Sequence, residues 1–160
     1  MQTVPRAAHT AIDSIAVGPL TIRFLITGEQ SGGSLAFFEL HVPAGAGLPG
    51  PAHRHDGYEE TIYGVAGTLS WTVDDEPVTL EPGEALCIPR GAVHRFHNPD
   101  ATTAMVLVAV TPAGIGPEYF REVADALTEA APDPPNPAHM GEIMGRYGLT
   151  PVVLPVQSRT

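Results

Sequence analysis

The sequence predicts an all-β protein, a sandwich, jelly roll or barrel of short strands, followed by a short helical extension. Two observations carry this expectation. From about Ile15 to Val110 the chain runs as short apolar segments broken at close intervals by Gly, Pro, Asp and Asn, with no helical period between them. After Thr111 the pattern changes to apolar residues at helical spacing and a proline-rich stretch. At 160 residues there is room for one domain with one hydrophobic core.

Taken in order, Leu20–Thr27, Leu35–Val42, Thr61–Val65, Thr68–Val73, Pro77–Leu80, Ala85–Pro89, Val93–His97 and Thr103–Val110 read as strands. Glu29-Gln30-Ser31-Gly32-Gly33 and Asp74-Asp75-Glu76 read as tight turns between them. Gly116-Pro117 opens a helix of about three turns, with Phe120, Val123, Ala124 and Leu127 at helical spacing. Ala131–Pro137, four of whose seven residues are proline, reads as a stiff linker. A second helix follows, with Asn136 as N-cap, Pro137 at the first helical position and Gly148 as C-cap. Its apolar face (Met140, Ile143, Met144, Tyr147) is expected to pack on the barrel or on a partner subunit. The division is therefore residues 1–112 as the β-domain and residues 113–160 as a helical extension and tail.

Composition excludes several functions. A net charge of −10 with scattered cations argues against nucleic acid, because neutralising phosphates needs clustered positive charge. All eight cations are arginine, which reads as the composition of a GC-rich bacterial genome rather than as function. No basic stripe suits an anionic membrane, and no apolar run approaches the ~20 residues that cross a bilayer. No signal peptide is visible, and the lone Cys87 cannot form an internal disulfide, so a reducing cytoplasm is expected.

Two clusters carry the chemistry. In the first, His53 and His55 alternate on an extended segment, so both imidazoles project to one side and Arg54 to the other. Asp56-Gly57 supplies a turn, after which Glu59 or Glu60 can bring a carboxylate back to the same centre. In the second, Gly83 to Asn98 reads as a strand, a Pro/Gly turn and a further strand that delivers His94. His97, three residues on, falls on the opposite face. His9, His41 and His139 have no ligand-like neighbours, and His41 faces away from the apolar side formed by Phe38, Leu40 and Val42.

These clusters resemble the two motifs of the cupin family. The first motif is glycine, five residues, His-x-His, three or four residues, glutamate, six residues, glycine; Gly47, His53, His55, Glu60 and Gly67 fill it. The second is glycine, five residues, proline, x, glycine, two residues, histidine, three residues, asparagine; Gly83, Pro89, Gly91, His94 and Asn98 fill it. Ten specified residues, each with a chance frequency on the order of one in twenty, do not fall into line by accident. The resemblance covers Gly47 to Asn98 and implies a small single-domain cupin of the quercetin dioxygenase-like kind, a double-stranded β-helix. It further implies one divalent metal per chain held by His53, His55, Glu60 and His94. The six-residue gap to Gly67 selects Glu60 over Glu59.

Four protein ligands without thiolate leave two positions of an octahedral ion open, unlike a closed structural zinc site. Fe, Mn, Ni, Co, Cu and Zn all accept this set. On the substrate side, Phe96 shares a face with His94, and Tyr58 stands near the mouth. Trp71, with Leu69 and Val73 on its face, reads as pocket wall or, by preference, plain core. Cys87 reads as an inward-facing filler. Few charges besides the ligands favour an apolar or aromatic small molecule.

The leading expectation is therefore a dioxygenase-like oxidoreductase acting on a phenolic or enolisable substrate, with Glu60 doubling as ligand and base. The alternatives are a redox-neutral polyketide cyclase, isomerase or lyase, and a non-catalytic metabolite binder. A homodimer is expected, since cupins commonly pair through edge strands and termini and Leu149–Val156 is apolar.

Overall fold

Period-two burial builds the barrel. In the computed structural model, which describes residue 8, residues 10–12 and residues 14–153, β2 (Leu20–Ile26) buries Leu20, Ile22 and Phe24. β3 (Ala36–Val42) buries Ala36, Phe38, Leu40 and Val42, and β10 (Ala104–Thr111) buries Ala104, Val106, Val108 and Val110. β-branched and aromatic side chains on alternate positions fit a pleated surface that packs on one face. The remaining strands are β1 (Ile15–Val17), β4 (His53–His55), β5 (Glu59–Ala66), β6 (Leu69–Val73), β7 (Glu76–Leu80), β8 (Ala85–Ile88), β9 (His94–His97) and β11 (Leu149–Pro151).

They form two antiparallel sheets, a six-stranded one in the order β1-β2-β3-β10-β5-β8 and a five-stranded one in the order β11-β4-β9-β6-β7. This is the jelly-roll barrel expected from the sequence. The predicted Asp74–Glu76 turn is a two-residue hairpin in which Val73 pairs with Glu76. Asp74 and Asp75 both take positive φ (48° and 66°) there, as the right-handed twist of a hairpin demands.

The helical extension consists of α1 (Pro117–Ala130) and α2 (Pro137–Arg146). The Asn136 side chain accepts from the backbone N–H of Ala138 and His139 at 2.9 and 3.3 Å, satisfying two orphan donors. At the other end Tyr147 caps the helix, and Gly148 follows with φ 76°, a left-handed conformation that a side chain would strain. α1 buries Tyr119, Val123 and Ala126, while Phe120, Ala124 and Leu127 of the predicted apolar spacing are half-buried. Phe120 packs its ring on Phe24 and Phe38, with centroids 5.8 and 5.4 Å apart. No helix among the described residues is long and apolar enough to cross a membrane.

The tail, expected to pack on the barrel or on a partner subunit, begins by adding β11 to its own barrel, Leu149 opposite His55 and Pro151 opposite His53. Strand β4 offered an edge, and the segment after α2 fills it; residues 154–156 of that tail lie outside the described residues, as does His9. One expectation needs correction: Cys87 faces outward and is exposed. Ile88 is turned inward opposite Glu60, so strand alternation puts Cys87 on the outer face.

Candidate metal centre

The site bridges the two sheets. Glu60 comes from β5 of the six-stranded sheet, where Glu60, Ile62 and Gly64 face inward, whereas Glu59, Thr61, Tyr63 and Val65 face outward. His53, His55 and His94 come from β4 and β9 of the five-stranded sheet, and His53 sits directly opposite His94 in register. Gly91, in the turn before β9, takes φ 82° and donates its N–H to the His55 carbonyl at 2.9 Å, so the two histidine-bearing segments are tied together.

Donor atoms of His55, Glu60 and His94 all lie within 4.8 Å of one another. Glu60 Oε2 is 3.2 Å from His55 Nε2 and 3.3 Å from His94 Nε2. His53 stands beside this trio rather than in it: its ring lies edge-on to His94 at 4.6 Å and 6.3 Å from that of His55. Glu59 is elsewhere, in a two-point ion pair with Arg90 at 3.0 and 3.2 Å on the outer surface. His97 is exposed, and His41 lies on the outer face against Glu39 at 3.1 Å.

Each imidazole turns its Nδ1 toward a backbone carbonyl: His55 toward Tyr58 at 2.8 Å, His94 toward Ala92 at 3.0 Å and His53 toward Pro51 at 3.4 Å. An N–H at Nδ1 leaves a lone pair on Nε2. This is the arrangement by which metal-ligating histidines are oriented. With that tautomer the lone pairs of His55 and His94 face the Glu60 carboxylate, acceptor against acceptor, a contact that a bound cation or a proton on an imidazole relieves. His94 Nε2 is fully buried and, at 3.3 Å from the carboxylate, lacks hydrogen-bond geometry, so it is left without a partner. The donors of His55, Glu60 and His94 fit a divalent ion, with the His53 imidazole beside them. A closed zinc cage is a poorer match, since the set contains no thiolate.

The carboxylate and the imidazoles shift one another. Burial opposes the charge on Glu60, but the two imidazoles outweigh it and hold the carboxyl well below the usual range. Burial, aided by repulsion from His94, lowers His53 to about 4, so it is neutral and free to ligate. At His94, burial is outweighed by Glu60, and the net shift is upward.

Tyr58 ties this centre to the extension. Its ring stacks on His55 at 4.4 Å, and its hydroxyl donates to the Tyr147 carbonyl at the end of α2 at 3.1 Å. Gly114 makes room for that ring, because a Cβ there would overlap it. Burial raises the Tyr58 hydroxyl far above its ordinary pKa and keeps it neutral.

Tyr58, Phe96 and Trp71 all line a cavity of about 90 Å³ around the centre. Trp71 has both roles the sequence left open, being buried in the core and part of this wall. Sequence reasoning missed Tyr119, Met140 and Met144, which come from α1 and α2 and complete the lining. Helical spacing marks them as buried but does not say that they face a cavity. Apart from Arg95, the remaining wall is apolar, including Val17, Ile22 and Leu40.

A barrel of two such sheets around an inward His/Glu cluster defines the class of cupin-type proteins. Residues 38–110 match the model of the cupin domain. Over 137 residues the chain is 30% identical to the tetracenomycin polyketide synthase protein TcmJ of Streptomyces glaucescens, covering 84% of this chain and 91% of that one. It is also 32% identical over 73 residues to quercetin 2,3-dioxygenase of Bacillus subtilis, covering 46% of this chain and 21% of that enzyme. Among solved structures, a Thermotoga maritima protein described as a predicted oxalate decarboxylase superposes with a TM-score of 0.58 at 19% identity, covering 69% of this chain and 99% of that one. The chain belongs to the cupin family.

Proposed function

We propose that this chain is a metal-dependent enzyme acting on an enolisable or phenolic molecule of the aromatic polyketide type, by redox-neutral chemistry. The observation that carries the reading is the convergence of histidine Nε2 atoms, each fixed through Nδ1 to a carbonyl, on an ionised Glu60 inside an apolar cavity. A divalent ion held there would supply Lewis acidity to a carbonyl or enol oxygen. His55 and His94, with His53 beside them, would hold that ion as neutral ligands. Glu60 would contribute the one negative charge of the set, an ionised carboxylate among neutral imidazoles. Val17, Ile22, Leu40, Tyr119 and Met144 keep water from the reacting carbon.

Similarity along most of its length to a polyketide synthase protein supports placing redox-neutral chemistry ahead of oxygen chemistry, which reverses the order expected from the sequence. The dioxygenase reading keeps the support of the shorter similarity to quercetin 2,3-dioxygenase. The test is metal analysis of untagged protein, then turnover of phenols and linear polyketones by Zn(II)- and Fe(II)-loaded samples in an oxygen electrode. Turnover with Zn(II) and no O2 uptake is expected. Activity confined to Fe(II) and matched by O2 consumption overturns it in favour of the dioxygenase, and full activity after chelation overturns both.

A further inference from the structure

Among the described residues, two buried side-chain polar atoms have no hydrogen-bonding partner: His94 Nε2 and Trp71 Nε1. Both residues line the same cavity, with their rings 6.4 Å apart. A buried donor left unmet forfeits the hydration it had in the unfolded chain, and native proteins keep such groups where something else will satisfy them. The metal accounts for His94. It does not account for Trp71, because an indole N–H has no lone pair to offer a cation.

Packing does not account for it either. Trp71 is 2% exposed and lies opposite Phe96 in the β6–β9 register, with the two rings 5.0 Å apart. A phenylalanine would fill such a place without bringing in a donor, and buried tryptophans ordinarily find an acceptor for theirs.

We propose that the Trp71 indole N–H donates to an oxygen of the small molecule bound at the His/Glu centre, so that Trp71 is a ligand-binding residue rather than core filler. This rests on reading the centre as a metal site. The ligand class that meets both unmet groups has one oxygen for the ion and an oxygen acceptor for Nε1, as in an enolised β-dicarbonyl or a phenol with a neighbouring carbonyl. An ammonium or a hydrocarbon end satisfies neither.

The cavity is also smaller than the roughly 300 Å³ at which ligand pockets usually begin, at about 90 Å³. It therefore takes one ring or one dicarbonyl unit. A groove of about 660 Å³ begins at its rim, sharing Leu48, Gly50, Pro51, Arg95 and Phe96 with it, and receives the rest of a longer molecule.

Trp71 is the one tryptophan of the chain, so its indole N–H gives a single resonance. The protein is labelled with ¹⁵N, loaded with Zn(II), assayed for zinc and titrated with acetylacetone as the probe. The indole proton is expected to move downfield and exchange more slowly with solvent. Trp71→Phe, with its zinc retained, is expected to bind acetylacetone roughly tenfold more weakly by calorimetry. An unmoved resonance in wild type saturated with acetylacetone overturns the proposal, as does undiminished affinity in the variant or failure of the zinc-loaded protein to bind acetylacetone. If the variant does not fold, the wild-type resonance decides. Absence of zinc before the probe is added refutes the metal reading instead, and the two failures are thus told apart.

Discussion

Replacing Glu60 by Gln keeps the shape of the side chain and removes the one negative charge of the centre, so it isolates what the carboxylate does for a bound cation. A ligand that binds only the folded state adds RT ln(1 + [L]/Kd), about 4 kcal/mol at a thousandfold excess over Kd. For a chain of 160 residues, where 1 kcal/mol moves Tm by about 2–4 °C, Zn(II) at that level raises the wild-type Tm by about 8–16 °C.

Groups that only orient a metal ligand cost about 10–100-fold in affinity when removed. As a proposed ligand Glu60 would touch the ion itself, so its loss is set at the top of that range, about 100-fold or about 2.7 kcal/mol. At the same Zn(II) concentration the Glu60→Gln protein should gain only about 3–6 °C. The assay is differential scanning calorimetry of chelator-treated protein with and without Zn(II), with zinc content measured on the same samples. An equal gain in both proteins removes Glu60 from the centre. No gain in either, with no zinc retained, removes the metal.

Three further outcomes follow from other parts of the structure. Glu39, buried and held at two points by Arg23 at 2.7 and 2.9 Å, has its carboxyl lowered chiefly by that hydrogen bonding. Its folded pKa is below the unfolded one, so its contribution is present above the ordinary carboxylate range and is lost as pH falls through the folded value; Glu39→Gln should flatten the acid limb of Tm against pH, and an unchanged limb counts against the pair. Gly114→Ala puts a Cβ into the Tyr58 ring, which must move off His55, and should lower zinc affinity by about 10–100-fold; a Kd equal to wild type by competition with a chromogenic chelator would show that Tyr58 does not orient His55. The chain is also proposed to be a homodimer, with exposed Tyr63 and Val65 on the outer face of β5 as an apolar contact. Light scattering should return about twice the 16.8 kDa chain mass, and a monomer at micromolar concentration refutes it.

Much of the centre was legible because strand geometry is local. Alternation puts His53 and His55 on one face and Arg54 on the other, and the same rule turns Glu60 in and Glu59 out. Motif spacing places the turn at Gly91 and hence His94. The start of α2 was equally readable, since Asn136 and Pro137 act on the backbone beside them, whereas its C-cap is Tyr147, one residue before the expected Gly148. Cys87 shows how such reasoning fails: period two was the right rule, but its phase in β8 is set by Ile88 pairing with Glu60.

By itself, then, the sequence determined which side chains could ligate, eight of the eleven described strands and where the two helices begin, because those depend on neighbours a few residues away. Only the tertiary structure decided that Glu60 meets the histidines from the opposite sheet, and that β11 closes the edge of β4. It also decided that Tyr119, Met140 and Met144 wall the cavity in which Trp71 keeps an unmet donor. The physical reason is that apolar burial has no direction along the chain. A hydrophobic face records that it will be covered, whereas the packing of both sheets and both helices settles by what.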